Sequence, residues 1–322
     1  MNALPILKTA ESLAEIARTW GEMEPEARHR RAAMAARDWD GEALVSLALG
    51  YLRLYSNRQL SKSTATKYRT CILGLVRWAS GRAVSLLRPP VDFGRLWVLE
   101  LEERKSSPST VRVYLASAKG LFAALRWVNA TEARPFERIQ ARPETTLPED
   151  KRPPYGVSEV LRMKMAAEGP QELVVLLLAA VGGLRREEVR ALEWADINLG
   201  SRELIVRKGK GGKCRRVRMA PELLRGLGLW QESCPWESVV GPISSRTVAN
   251  TVQRLAGRAG VEWKGYHALR HTAGDLVYAA TGSLRAVQRF LGHSRLETAV
   301  RYTHKLPELD RAIDAGFLTR RA

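Results

Sequence analysis

The chain has 322 residues, of which 45% are hydrophobic and 27% charged. These proportions exclude wholesale disorder and, at roughly 100–200 residues per domain, fit two compact domains. Lys and Arg number 52 against 34 for Asp and Glu, a formal net charge of +18 spread along the chain, which points to a polyanionic partner, most commonly phosphate backbone.

The first third reads as helical. Residues 1–38 form a helical N-terminal extension in this reading, and residues 39–132 a helical domain. Within that domain, helices are expected over Glu42–Leu54 with Asp40 as N-cap, over Ser63–Ala79, around Leu96–Arg104, and over Ser109–Val128, where Ser107-Pro108 is the start signal. Residues 133–155 contain Pro135, Pro143, Pro148, Pro153 and Pro154 among polar residues and read as an extended linker. The second domain, 156–322, opens with a helix capped by Ser158 and continues with the apolar helix Gln171–Val181, which stops at Gly182-Gly183. A short helix Glu187–Leu192 follows, and then two strands, Glu203–Arg207 and Cys214–Met219, flank a basic glycine-rich turn. Helices return around Arg246–Arg258, His267–Ala280, Leu284–Leu291 and Leu296–Tyr302, and a helical pattern over Leu309–Leu318 ends the chain. Cys71, Cys214 and Cys234 are too scattered for a disulfide framework. Lys8, Glu11 and Glu15 interrupt any apolar leader, and the longest apolar run, Leu173–Leu184, is about half of a membrane span. A cytoplasmic protein without a membrane partner is expected.

The residues suited to chemistry gather in the second domain. Arg185 and Arg186 follow the glycine pair, Lys210 occupies the glycine-rich turn between Lys208 and Lys213, His267 and Arg270 lie one helical turn apart, His293 follows Leu291-Gly292, and Tyr302 comes nine residues later. Singly, each has an ordinary reading: a solvated helix start, an exposed hairpin tip, a packing tyrosine. His267, Arg270 and His271 do not make a zinc set, because an arginine sits in it and no third ligand has metal spacing.

Taken in order, Gly183-Leu184-Arg185 with Glu188, Gly209-Lys210-Gly211, His267-Ala268-Leu269-Arg270-His271, Leu291-Gly292-His293-Ser294 and Tyr302 resemble the catalytic signature of the tyrosine site-specific recombinases, the phage-integrase and Xer superfamily. The segment Leu60–Arg69 is similar to the opening of that family's helical core-binding domain. The resemblance implies a mainly α fold with a small β-hairpin or sheet: a SAM-like helical core-binding domain followed by a mixed α/β catalytic domain with a C-terminal tail. It implies Arg185, Lys210, His267, Arg270, His293 and Tyr302 as catalytic residues, with Glu188 as the supporting carboxylate. Lys67, Arg69, Arg77, Arg112 and Lys119 of the first domain and Lys208 and Lys213 of the turn are the basic residues expected against DNA. Gly182, where threonine is common, and Asp275, where small residues prevail, depart from the pattern without removing a catalytic group.

These residue types suit the chemistry. Attack on a phosphodiester builds charge on its non-bridging oxygens, which two arginines can hold in forked geometry. A phenol with an ordinary pKa near ~10 needs a cationic pocket and a proton acceptor, a part that suits His267, while Lys210 is placed to protonate the departing 5′ oxygen. No cofactor is called for: no carboxylate cluster for Mg²⁺ and no Walker motif is present in the sequence. The family resemblance implies double-stranded DNA as partner, a tetramer on two DNA sites or assembly with a paralogous recombinase, a 3′-phosphotyrosyl intermediate and a Holliday junction. The roles open to such an enzyme are Xer-like dimer resolution and mobile-element integration or excision. The alternatives are DNA relaxation of the type IB topoisomerase kind and a non-catalytic DNA-binding regulator on the same scaffold.

Overall fold

The computed structural model describes residues 10–56, 60–145, 153–207 and 214–292. The chain divides after Thr145 into two compact units.

The first unit is built from helices α1 (Ala10–Gly21), α2 (Pro25–Arg37), α3 (Gly41–Tyr55), α4 (Lys62–Ser80), α5 (Phe93–Glu103) and α6 (Pro108–Trp127). Three of them start on side-chain caps that satisfy otherwise orphaned amides. Asp40 accepts from the Ala43 amide at 3.0 Å, and Ser61 and Ser107 accept from the Thr64 and Thr110 amides at 3.2 Å each. Leu44 and Leu47 of α3 and Ile72, Leu75, Val76 and Trp78 of α4 are buried at helical spacing. Behind them Trp78, Phe93, Phe122 and Phe136 stack edge-on or tilted, with Phe93 5.4 Å from Trp78 and 5.8 Å from Phe136.

Two boundaries differ from the sequence expectation. Residues 10–37 are not an appendage: Leu13, Ile16, Trp20, Ala32 and Ala36 belong to this core, and the Trp20 indole donates to Ser46 Oγ at 3.0 Å in its interior. The segment expected to begin a linker at residue 133 instead carries Phe136 into the same core, with Ile139 and Ala141 packed against it. The prolines there shape a packed extended segment, and a single buried phenyl ring outweighs the polar composition around it.

The second unit is organised around an apolar helix. Its elements are α7 (Val157–Met165), α8 (Pro170–Ala180), α9 (Arg186–Arg190), strands β1 (Ile197–Asn198), β2 (Glu203–Val206) and β3 (Arg215–Arg218), then α10 (Pro221–Gln231), α11 (Ser245–Arg258), α12 (Tyr266–Thr281) and α13 (Leu284–Leu291). Val174 through Ala180 are all buried, so α8 is enclosed on every side, and α10, α11 and α12 pack on it. The strands form an antiparallel sheet in the order β1-β2-β3, with Leu204 paired to both Ile197 and Val217.

Ser158 does not cap α7. Gly156 holds that position, and Glu159 reaches back to accept from its amide at 2.7 Å, leaving Ser158 inside the first turn. Helix α10 was not expected from the sequence, since two glycines interrupt its pattern. Gly226 is there for close approach: a Cβ on it would lie 2.9 Å from Leu177 Cδ1 of α8. Among the described residues no helix is long and apolar enough to cross a membrane.

Candidate active site

The turn between α8 and α9 sets the first functional side chain. Gly183 adopts φ of +63°, a left-handed conformation that favours glycine, and a Cβ on it would sit 2.7 Å from Leu291 Cδ2 and 3.0 Å from Phe290 Cε1. The turn therefore lies flush against α13, and the chain leaves it with Arg185 at the N-cap of α9. Three residues on, Glu188 folds back onto the turn. Its Oε2 accepts from the Arg185 amide at 2.9 Å and its Oε1 from Arg185 Nη1 at 2.7 Å. The Glu188 side chain is 3% exposed and that of Arg185 26%, so the carboxylate is sealed while the guanidinium keeps an open edge.

Two more arginines meet Glu188. Arg270, on α12 and 1% exposed, brings Nη1 to 3.8 Å from Glu188 Oε2 and donates to the carbonyl oxygens of Gly183 and Leu291. Arg215, the first residue of β3, grips Glu188 with both terminal nitrogens, Nη1 to Oε1 at 2.9 Å and Nη2 to Oε2 at 2.7 Å, and its Nε donates to the Phe290 carbonyl at 3.1 Å. Burial pushes the Glu188 carboxyl up, but the two bonds and the charge of Arg215, with the amide and guanidinium of Arg185, more than offset it and hold the pKa down at about 2. Glu188 is thus an anion that fixes a cationic cluster drawn from α9, β3 and α12.

His267 lies one turn before Arg270 on α12 and is exposed, its ring 4.8 Å from that of the buried His271 and nearly perpendicular to it. The structure thus brings Arg185, Glu188 and Arg270 into direct contact and sets His267 on the same helix. Lys208, Lys210, Lys213, His293 and Tyr302, together with the helix expected over Leu296–Tyr302 and the tail at Leu309–Leu318, lie outside the described residues. The tyrosines described in the second unit's core differ from a nucleophile in environment. Tyr266 is buried, with its hydroxyl donating to the Leu184 carbonyl and its pKa pushed up by burial. Burial raises Tyr155 to about 12, and its hydroxyl accepts from the Lys264 amide.

Arg215 escaped the sequence reading. A signal for it existed: strand periodicity puts Arg215 on the face of the buried Val217, and an arginine on a core-facing strand position requires a partner.

In the first unit, Lys67, Arg77 and Arg112 are exposed, and Lys67 opens onto a groove of about 470 Å³ between α4 and α6, lined also by Thr70, Ser109, Thr110 and Tyr114. Arg69 and Lys119 are already engaged. Arg69 pairs with Glu42, its Nε 3.1 Å from Oε2, and Lys119 Nζ donates to the Ile139 carbonyl at 3.1 Å. Among the described residues no group of His, Cys, Asp and Glu could hold a metal ion.

The family model described as Phage integrase family matches residues 158–308, and that described as Phage integrase, N-terminal SAM-like domain matches residues 50–129. Tyrosine recombinase XerC of Xanthomonas campestris pv. campestris (strain B100) is 29% identical over 263 residues, which cover 78% of this chain and 81% of that protein. The XerC of Actinobacillus pleuropneumoniae serotype 7 is 26% identical over 272 residues, covering 79% and 86%. In fold, the chain is similar to a lambda integrase(75-356) dimer bound to a COC′ core site, with a TM-score of 0.64 and 19% identity, covering 80% of this chain and 94% of that one. It is also similar to the Tn1549 transposon integrase in complex with transposon right end DNA, with a TM-score of 0.63 and 17% identity, covering 84% and 97%. With both family models matched in order and the Arg185–Glu188–Arg270 cluster assembled in space, the chain belongs to the phage integrase family of tyrosine recombinases.

Proposed function

We propose that this chain is a site-specific DNA recombinase that cleaves and rejoins strands through a 3′-phosphotyrosyl intermediate and a Holliday junction. The observation that carries the reading is the convergence of Arg185 and Arg270, from separate helices, on the single buried carboxylate of Glu188. That arrangement presents forked donors to one anionic group, the demand of a phosphodiester gaining charge at phosphorus.

In the proposed reaction, Tyr302 Oη attacks phosphorus, the P–O5′ bond breaks, and the chain becomes linked to the 3′ phosphate. His267 takes the phenolic proton, Lys210 protonates the departing 5′ oxygen, and His293 donates to a phosphate oxygen. Arg185 and Arg270 neutralise the charge that builds on the non-bridging oxygens. Attack by the 5′ hydroxyl of another strand reverses these proton movements and reseals the DNA, so one phosphate ester replaces another and no nucleotide triphosphate is consumed. The exposed Lys67, Arg77 and Arg112 of the first unit supply phosphate contacts, and the working assembly is an oligomer on DNA: a tetramer of this chain on two sites, or one shared with a paralogous recombinase. Such an enzyme works in the cytoplasm, where it meets bacterial or mobile-element DNA.

The test begins with the native chain, from which covalently attached DNA is recovered and sequenced to define the site. Tyr302→Phe should bind a nicked suicide duplex of that site as tightly as the native chain and form no covalent adduct. An adduct that persists in Tyr302→Phe refutes the assignment, and supercoil relaxation without strand exchange favours the topoisomerase alternative.

A further inference from the structure

Arg215 belongs to none of the motifs that place this chain in its family reading, yet it is among the most heavily engaged side chains of the described second unit. It is 9% exposed, and three of its N–H groups are spent on two targets: both oxygens of Glu188, and the Phe290 carbonyl at the end of α13. Those targets belong to two separate pieces of the site. Glu188 orients Arg185 through the amide and the guanidinium. Phe290 precedes Leu291, whose carbonyl accepts from Arg270, and Gly292, the residue before His293 in sequence. Contact at Gly292 is tight: with φ of +65°, a Cβ there would lie 2.8 Å from Arg215 Cδ.

We infer that Arg215 is a positioning residue for strand cleavage, which acts through Glu188 and the Phe290 carbonyl to hold Arg185 and the C-terminal turn of α13 in register with each other. This rests on the reading that Arg185 contacts the scissile phosphate. The geometry requires a guanidinium. Two parallel N–H groups meet the two carboxylate oxygens while a third, at Nε, points the other way to a carbonyl, a division that lysine's single ammonium cannot reproduce. Through these contacts Arg215 steadies the groups proposed to touch DNA. The consequence for catalysis is geometric, since displacement of a reacting group by about 1 Å costs on the order of 100-fold in rate.

A charge consequence separates this role from simple support of the fold. Arg215 supplies the largest share of what holds the Glu188 carboxyl at about 2. Without it, burial pushes that carboxyl upward, and protonation of Glu188 then releases Arg185 at a higher pH than in the native chain.

The experiment uses full-length native, Arg215→Ala, Arg215→Lys and Arg185→Ala proteins. The probe is the nicked suicide duplex recovered with the native chain, and the readouts are dissociation constant and single-turnover adduct formation across pH. Arg215→Ala is expected to bind the duplex within about twofold of native and to cleave about 100-fold more slowly. Its rate should fall on the acid side at a higher pH than the native rate does. Arg215→Lys, which keeps a cation and guards against loss of folding, should remain at least about tenfold slow with native affinity. A native rate in either Arg215 variant, or a slowing by the same factor at every pH with weakened binding, overturns the inference. If Arg185→Ala itself still cleaves, the underlying reading of the site fails, whatever Arg215 does.

Discussion

Glu188→Gln isolates the anion at the centre of the arginine cluster. The native carboxylate is held at about 2 against an ordinary 4.5. A difference of that size in a group whose side chain is 3% exposed corresponds to about 3 kcal/mol of stability at neutral pH. Glutamine keeps the volume and loses the charge, and its amide N–H turns a donor toward guanidinium donors. Removing one partner of a buried ion pair costs about 3–5 kcal/mol, in line with the figure from the lowered pKa. For a unit of this size each kcal/mol moves the melting temperature by about 2–4 °C, so the transition of the second unit should drop by about 6–12 °C.

The pH dependence carries the sharper test. A carboxyl with a lowered native pKa contributes stability that is complete above about 4.5 and disappears as the pH falls toward about 2. The gap between native and Glu188→Gln should therefore be full at pH 7 and more than half gone by about pH 3. Denaturant titrations at the two pH values, read with a probe in the second unit such as Trp230, measure it. Equal stability of the two proteins at pH 7, or a gap that does not change with pH, refutes the account of Glu188 as the counter-ion that fixes the cluster.

A 5′-bridging thiol leaves with little need for a proton, so it should restore cleavage to Lys210→Ala; restoration of Lys213→Ala instead would move the general acid to that position. The affinity for DNA should fall with salt at a log–log slope of about −0.9 per phosphate contacted. Replacing Lys67, Arg77 and Arg112 together should flatten that slope in anisotropy titrations, and an unchanged slope removes them from the interface. Gly183→Ala should cost at least about 1–2 kcal/mol from its left-handed backbone alone, and suicide cleavage should fall further because its Cβ would press on Leu291 and Phe290. Native cleavage and stability in that variant would deny the turn its role.

Much of the fold was legible because its elements are locally specified. Asp40 and Ser107 announce helix starts through short polar side chains, and the spacing of Ile72, Leu75 and Val76 gives the buried face of α4 directly. What was missed depends on partners distant in sequence. Composition around Pro135 says linker, and only the ring of Phe136 seated between Phe93 and Phe122 makes it core. Helix α10 hides behind two glycines, of which Gly226 answers to the closeness of Leu177 on another helix. Nor does sequence show that Arg69 and Lys119, which look like free cations, meet Glu42 and the Ile139 carbonyl. At the site the same division holds. Arg185 and Glu188 are three apart at a helix start and could be paired by inspection, whereas the Arg215–Glu188 bond joins a strand to a helix and has no local sign beyond the parity of β3.

The charge arithmetic of the cluster explains why this part of the protein is built with an apparent imbalance. Three guanidiniums gather on the carboxylate of Glu188 in a largely buried place. A second carboxylate would relieve the mutual repulsion of the arginines and stabilise the unit. It would also occupy the position that a phosphodiester must take, and a fixed anion of the chain's own is always present at a high effective concentration. Glu188 avoids this conflict by its direction of approach: it binds from the sealed side, through Arg215 and the Arg185 amide, and leaves Arg185 a 26% exposed edge. Mutual repulsion of the guanidiniums costs stability in the free protein and is relieved when phosphate arrives, in a medium where burial strengthens each contact. Stability and phosphate affinity therefore pull against each other here, and a variant that adds an acidic side chain at that open edge should melt higher while binding the scissile phosphate less well.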